Sequence, residues 1–188
     1  PGPSVSNEPG FEIGRYTLSE SVGPVGYVSS GWACIGATQE GNDIILGPGE
    51  AATCTTISND IAPNLVLSKV VTNNNGGNAA AADWALTATG PSSFSGPGPS
   101  VASSAAFEAG TYVLSEFGPA GYSASDWVCN GGTQGDAATI SLALAESATC
   151  TITNNDIAPS LTLVKQVKND DGGTAVAANW TLTASGPS

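Results

Sequence analysis

The chain repeats itself with a period of 96 residues. The segment GRYTLSE at 14–20 returns as GTYVLSE at 110–116, and the tetrapeptide DIAP occurs at 60–63 and again at 156–159. Solenoid repeats are only about 20 to 50 residues long, so a period of this length is typical of a whole small domain. The sequence therefore predicts a tandem array of small domains.

The two ends of the sequence fit the same repeat. It opens with PGPS at 1–4 and closes with SGPS at 185–188, and in the interior the matching segments at 90–92 and 97–100 are near neighbours. We therefore expect the end of one copy to lead into the beginning of another, in a longer polypeptide or in a neighbouring subunit.

Composition narrows the possible functions. Sixteen acidic residues against four basic ones give a formal net charge of −12, which argues against nucleic acids and anionic membranes as partners. Histidine, the commonest general base and transition-metal ligand, is absent, so neither an enzyme nor a metal or cofactor site is predicted. No apolar run approaches the roughly 18 residues of a membrane helix, so no direct membrane insertion is expected in this window.

The four cysteines fall two to a repeat, with separations of 20 and 21 residues and no CxxC pattern. This arrangement indicates one disulfide per domain rather than a zinc site. We expect Cys34 to pair with Cys54 and Cys129 with Cys150, and therefore an oxidising compartment, outside the cell or at its surface.

Almost all secondary structure is predicted to be β. Segments such as 65–71, 111–116 and 148–154 are short, rich in β-branched and aromatic residues, and bounded by Gly, Pro, Asn or Ser. Six to eight such strands in about 96 residues favour an all-β fold of tandem antiparallel β-sandwiches, of transthyretin or immunoglobulin type.

Domain boundaries follow from the prolines that precede the strongest strand patterns. Pro63 and Pro159 each stand just before an apolar run, and proline ends one strand and stiffens the start of the next. The predicted units are the C-terminal part of one sandwich (1–60), a complete sandwich (61–156) and the N-terminal strands of the next (157–188).

These motifs resemble a known family. LTLVK at 161–165, GTYVLSE at 110–116 with GPAGY at 118–122, and TITN at 151–154 are similar to the prealbumin-like repeats of bacterial surface proteins. That family includes the SpaA and collagen-adhesin B-type domains of adhesin stalks and pilins. The resemblance implies a transthyretin-like sandwich, a cell-surface location and a mechanical or spacer role.

Strand alternation places polar residues among the inward apolar ones. Leu65, Leu67 and Lys69 share one face, Glu116 faces inward on its own strand, and Asn154 does so on a third. Shifting the first repeat by one residue aligns Asn59 with Asn154. The two candidate sets are Lys69, Glu116 and Asn154, and across the split domain Lys165, Glu20 and Asn59.

In the resembling family such a set forms an intramolecular isopeptide bond between lysine and asparagine, assisted by the acid. An inward ion pair between lysine and glutamate, with asparagine as a hydrogen-bonding neighbour, is the alternative. Both readings stay open at the level of sequence.

Other features have simpler readings. One tryptophan at a matched position in each half repeat is expected in the core more often than on a sugar-binding platform. The turn at 169–172 lacks the spaced ligands of a calcium loop, and the sequon at 179–181 is frequent by chance. The tryptophans are Trp32, Trp84, Trp127 and Trp180.

The function predicted from sequence is a structural repeat of an extracellular bacterial fibre, pilus-like filament or adhesin stalk. Its expected partners are further copies of itself. An adhesive module that recognises a glycan or a host protein is the second hypothesis. An enzyme is the weakest, for want of a nucleophile motif or clustered carboxylates.

Overall fold

The computed structural model describes residues 4–7 and 9–186. Its regular structure is almost entirely β, as the sequence predicts. The elements are β1 (Gly14–Thr17), β2 (Tyr27–Ile35), β3 (Thr38–Glu40), β4 (Asp43–Leu46), β5 (Thr53–Asp60), β6 (Asn64–Thr72), β7 (Ala85–Thr89), β8 (Phe94–Pro97), β9 (Ser100–Ala102), β10 (Gly110–Phe117), β11 (Tyr122–Ala124), β12 (Val128–Asn130), β13 (Thr133–Asp136), β14 (Thr139–Leu142), β15 (Ser147–Asp156) and two single 3-10 turns, Ala81–Asp83 and Ala177–Asn179.

Strands β6 to β15 form a two-sheet sandwich, called here the middle sandwich. One sheet has the order β13-β14-β10-β7-β8, and the other has the order β11-β15-β6-β9 with β12 also paired to β15. The apolar side chains between them form one core cluster, which supplies the main stabilising free energy of the unit. Its members are Leu65, Leu67, Trp84, Leu86, Ala88, Phe107, Tyr112, Leu114, Trp127, Ile140, Leu142, Ala148, Cys150 and Ile152.

Side chains alternate between the two faces of the sheet along β6 and β15, and this alternation determines which of them face the core. In β6 the buried positions are Leu65, Leu67 and Lys69, and in β15 alternate residues from Ala148 to Asp156 are buried. Successive strand residues point to opposite faces, so one apolar pattern fixes the direction of every side chain. The predicted inward positions of Lys69 and Asn154 are observed.

The first and last strands of the middle sandwich are parallel neighbours. Their ladder runs from Asn64 opposite Ser147 to Thr72 opposite Asn155, and the other ladders of the described residues are antiparallel. The start of β6 and the end of β15 therefore lie at opposite poles of the sandwich.

Residues 14–60 repeat half of this arrangement. Strands β1, β4 and β3 form one sheet and β2 pairs with β5, matching the ladders around β14 and β15. Among the described residues, no strand pairs with β5 or β1 in the positions that β6 and β7 occupy in the middle sandwich. Phe11 is consequently 49 % exposed, whereas its equivalent Phe107 is 3 % exposed. This unit, called here the open half-sandwich, leaves its apolar face uncovered.

The strands predicted within residues 157–188 do not form in the described residues 157–186. Strand structure needs a paired neighbour, and no ladder reaches this segment. Leu161 is 73 % exposed and Trp180 is 44 % exposed, although their equivalents Leu65 and Trp84 are buried. Local contacts survive, since Asn169 donates to Ala175 O as Asn73 does to Ala79 O.

Candidate functional site

A buried ion pair crosses the core of the middle sandwich. Lys69 Nζ on β6 donates to Glu116 Oε2 on β10 over 2.5 Å, and these strands belong to opposite sheets. The lysine side chain is fully buried and that of Glu116 is 11 % exposed. The structure thus brings together the first two members of the predicted set.

Aromatic and glycine residues shape the space around the amine. Lys69 Nζ lies 4.7 Å from the centroid of the Trp84 ring, which packs edge-on against Tyr122. An added Cβ at Gly98 would lie 2.3 Å from Ala81 O and 3.1 Å from Lys69 Cβ, so no larger residue fits there. The lysine stem is therefore held between a ring and a close backbone.

Burial changes the protonation of this lysine. Removal from water lowers the pKa of Lys69, while the hydrogen bond and charge of Glu116 oppose the change and leave a net lowering. A lysine with a lowered pKa more readily reaches the neutral, nucleophilic form. The site therefore favours amine chemistry more than an exposed lysine would.

Asn154 completes the predicted set on the neighbouring strand. In the parallel ladder Lys69 is opposite Ile152 and Asn154 is opposite Val71, so the lysine and the asparagine are diagonal neighbours on one face. Asn154 is 4 % exposed, and its Oδ1 accepts no hydrogen bond from the described residues. Such an unpaired buried oxygen typically costs about 1–3 kcal/mol.

The second predicted set is not assembled within the chain. Lys165 Nζ lies 4.4 Å from the centroid of the Trp180 ring, repeating the local contact of Lys69 with Trp84. Glu20 is exposed on the open half-sandwich. No ladder joins the described part of 157–188 to that unit.

The one-residue shift that aligned Asn59 with Asn154 is wrong. Val28 pairs with Asn59 as Ser123 pairs with Asn155, and Ser29 pairs with Ser58 as Ala124 pairs with Asn154. Ser58 is therefore the equivalent of Asn154. Asn59 is the next residue along the strand and therefore points to its other face.

The two repeats differ in length where β13 pairs with β14, and not within β5. The extra residue of the second repeat is absorbed by a bulge in β13 between Gln134 and Asp136, whereas β3 pairs with β4 without a bulge. The longer separation of the second cysteine pair arises there. Beyond that turn the two repeats align without a shift.

Both predicted disulfides are present. Cys34 is bonded to Cys54 and Cys129 to Cys150, and each pair consists of ladder partners on antiparallel strands. Cys150 is fully buried in the core cluster. The second disulfide therefore ties β15 to β12 inside the sandwich.

Sequence reasoning missed the role of Asp156. This buried carboxylate accepts backbone hydrogen bonds of 2.8–2.9 Å from Asn74, Asn75 and Gly77. Burial acts to raise the pKa of Asp156, but these hydrogen bonds outweigh it and leave the pKa lowered. The repeated DIAP tetrapeptide contained the signal, since its aspartate recurs at 60 and 156.

The remaining candidates have structural roles or stay untested. Trp84 and Trp127 are core residues, as expected for the tryptophans, whereas Trp180 is half exposed. In the 169–172 turn, Asp170 accepts a 2.6 Å hydrogen bond from Lys168. Across residues 4–7 and 9–186, no helix is both long and apolar enough to cross a membrane.

The two facing sheets define a prealbumin-like β-sandwich with a buried lysine, a buried asparagine and a partly buried glutamate between them. A family model described as a SpaA-type prealbumin-like fold domain matches residues 3–56, 60–152 and 156–188. The chain belongs to that family.

Two major pilins of Streptococcus pyogenes are among the solved structures to which the chain is similar. For the T-13 pilin the identity is 14 %, the TM-score is 0.40, and 80 % of this chain and 69 % of the pilin are covered. For the T3.2 pilin the identity is 18 %, the TM-score is 0.41, and the coverages are 79 % and 69 %. No curated protein matches the chain.

Proposed function

We propose that the chain is a load-bearing structural repeat of an extracellular bacterial fibre, pilus-like filament or adhesin stalk, without catalytic turnover. Residues 61–156 are one complete repeat, and 1–60 and 157–188 are parts of its neighbours. Its partners are further copies of the same unit. The observation that carries the proposal is the parallel pairing of β6 with β15.

This pairing determines how the middle sandwich resists a pulling force. Tension along a chain of repeats pulls the start of β6 and the end of β15 in opposite directions, because these ends lie at opposite poles. The load then acts along the strands, and the hydrogen bonds of the ladder must break together rather than one at a time. The same geometry places successive repeats end to end.

The junction between repeats is short and well contacted. Ile61 N donates to Gly26 O and Ile61 O accepts from Ala145 N, both over 2.8 Å, and this connects the open half-sandwich to the middle sandwich. An added Cβ at Gly26 would lie 2.4 Å from Leu144 Cβ, so the two units approach closely. Ile157 N repeats the first contact by donating to Gly121 O. Such a junction suits a stalk better than a flexible linker does.

We also propose an isopeptide bond between Lys69 and Asn154. Neutral Lys69 Nζ attacks Asn154 Cγ, the new amide C–N bond replaces the bond to the side-chain nitrogen, and ammonia leaves. The Lys69 ammonium first gives its proton to the Glu116 carboxylate, and Glu116 then donates a hydrogen bond to the amide carbonyl and passes a proton to the departing nitrogen. The lowered pKa of Lys69 and the unpaired Asn154 Oδ1 support this reaction.

This bond would join the first and last strands directly. The force path would run through residues 61–69, the new amide and residues 154–157, and the rest of the sandwich would carry no tension. The disulfide between Cys129 and Cys150 stabilises the same terminal strand and is consistent with an oxidising, extracellular location.

Single-molecule stretching of the full chain tests the load-bearing function. We expect residues 61–156 to resist as a block, with no unfolding step that releases their length. In Glu116→Ala the same residues should unfold cooperatively at high force. The released chain length should exclude the residues between Cys129 and Cys150, because the disulfide keeps that loop closed. Extension of Glu116→Ala at the low force of an unzipping hairpin would contradict the proposed function.

A further inference from the structure

We propose that Trp84 is a positioning residue for the amine of Lys69, and that Gly118 keeps the indole ring in place for this task. The inference deepens the proposed function and rests on it, because the reaction concerned is bond formation between Lys69 and Asn154. The ring holds the amine while it is charged and releases it once it is neutral.

The indole ring of Trp84 forms one wall around the amine. Lys69 Nζ lies 4.7 Å from the ring centroid and 2.5 Å from Glu116 Oε2. The tryptophan and the lysine side chain are both buried, so water is excluded from the contact. An ammonium group near an aromatic ring is attracted by the ring quadrupole, and the attraction is stronger where both groups are desolvated. The ring therefore stabilises the charged amine in a core that otherwise disfavours it.

The contact recurs with the repeat. Lys165 Nζ lies 4.4 Å from the centroid of the Trp180 ring, and these two residues are the equivalents of Lys69 and Trp84. Each copy of the motif thus places a tryptophan ring beside the amine of its own lysine. We infer that the pairing of lysine with tryptophan is a built feature of the motif.

Gly118 lets the segment after β10 lie directly on the edge of the indole ring. An added Cβ at this position would lie 2.3 Å from Trp84 Cδ1 and 2.4 Å from Nε1, closer than real Cβ atoms approach. Gly118 is not among the glycines with a positive φ, so its backbone conformation does not require glycine. A side chain here would have to displace the ring. Because Glu116 lies on the same strand end, one segment positions both the ring and the acid.

Other contacts hold the ring and the lysine stem in register. Tyr122 packs edge-on against Trp84 at a centroid distance of 5.1 Å, and its hydroxyl donates to Asn73 Oδ1 over 2.6 Å. Gly98 N donates to Trp84 O over 2.9 Å, and an added Cβ at Gly98 would lie 3.1 Å from Lys69 Cβ. The turn at Gly98 therefore contacts both the tryptophan and the lysine.

The ring and the acid act in the order that the proposed reaction requires. While Lys69 is an ammonium, both Trp84 and Glu116 attract it. When the proton moves from Lys69 Nζ to Glu116 Oε2, the amine loses its attraction to the ring, because that attraction requires the positive charge. The neutral amine is then free to turn toward Asn154, its diagonal neighbour on the next strand. Only the proton changes place in this step.

The substitution Gly118→Ala tests the placement of the ring without altering any of the three reacting residues. Gly23→Ala is the matched control, since Gly23 begins the same Gly-Pro-x-Gly-Tyr motif in the first repeat and an added Cβ there meets nothing within 4 Å. By intact mass followed over time, we expect ammonia loss in the wild type and in Gly23→Ala, and loss slowed by about tenfold or more in Gly118→Ala. Equal rates in Gly118→Ala and the wild type would overturn the role of Gly118.

Two substitutions of Trp84 separate positioning from a general loss of packing. Trp84→Phe keeps an aromatic face, whereas Trp84→Leu fills the core without one, and both remove packing contacts. We expect Trp84→Phe to retain most of the rate of ammonia loss and Trp84→Leu to lose it, even where urea unfolding shows equal stability. Rates that simply follow stability would overturn the positioning role.

The Asn154→Ala background separates this role from the bond itself. The Lys69 amine stays free there, and Glu116 is present in every variant, so a nuclear magnetic resonance titration of the lysine reports on the ring. We expect a lower Lys69 pKa with Trp84→Leu than with Trp84→Phe, since the aromatic face favours the ammonium. That result, together with a wild type that keeps its ammonia, would contradict only the isopeptide bond of the proposed function. Equal pKa values in the two variants would overturn the positioning role.

Discussion

Glu116 reaches across the sandwich to Lys69, and the 2.5 Å contact between their charged groups is buried in the core. Because the two residues belong to different sheets, their contact joins the sheets across the core, and the charge of Glu116 opposes the lowering of the Lys69 pKa by burial. An uncompensated charge at this depth would cost several kcal/mol, so each partner requires the other.

Replacing the acid should prevent the cross-link. In Glu116→Ala we expect the folded chain to keep the mass of its sequence, corrected only for the two disulfides, whereas the wild type lacks one further ammonia. Glu20→Ala is the matched control, since Glu20 is the equivalent acid of the open half-sandwich. Intact-mass spectrometry decides the matter, and ammonia loss in Glu116→Ala would mean that the acid is dispensable.

Alkaline pH should reveal a lysine that is still free. In Asn154→Ala, Lys69 stays an amine whose pKa in the folded state lies below the ordinary value of about 10.4. The unfolded state then binds more protons, so the free energy of unfolding should rise as the pH climbs from the lowered pKa toward the ordinary one. The cross-linked wild type should lack this rise in urea unfolding series. Identical pH profiles for both proteins would count against the bond.

Removal of the second disulfide should destabilise the middle sandwich. The bond closes a loop over a separation of 21 residues, which corresponds to about 3 kcal/mol of unfolding free energy in the chain-entropy model. We expect a loss of this size for Cys129→Ser with Cys150→Ser. Cys34→Ser with Cys54→Ser is the control and should leave the unfolding of the middle sandwich unchanged. Calorimetry of both double variants measures the difference.

Asp156 should stabilise the middle sandwich except in acid. Its folded pKa is lowered, so its contribution is present above the ordinary value of about 3.9 and is lost as the pH falls through the folded value. Asp156→Asn should lower the melting temperature at neutral pH, and this difference should shrink below about pH 4. Asp60→Asn alters the equivalent aspartate, which lacks the turn beside it, and should have no such effect on the middle sandwich.

Much of the fold could be predicted from the sequence because the patterns that predict it are local. The alternation of apolar residues along 65–71 predicts that Lys69 faces inward, and the cysteine separations predict both disulfides. The repeated motifs predict that a small all-β domain recurs. Each of these inferences depends only on the direction of a side chain along its own strand or on counting within one repeat.

Tertiary structure decided how the strands are aligned with one another. The ladders place the extra residue of the second repeat in the β13 bulge, and they align Ser58 with Asn154, as the 96-residue spacing of the nearby DIAP tetrapeptides also does; the shift that matched Asn59 to Asn154 overlooked that spacing. The sequence did not show that Asp156 accepts hydrogen bonds from the turn at residues 74–77, because the donors and the acceptor are about 80 residues apart. Register and long-range hydrogen bonds arise only when both strands are in place, and a shift of one residue moves a side chain to the other face.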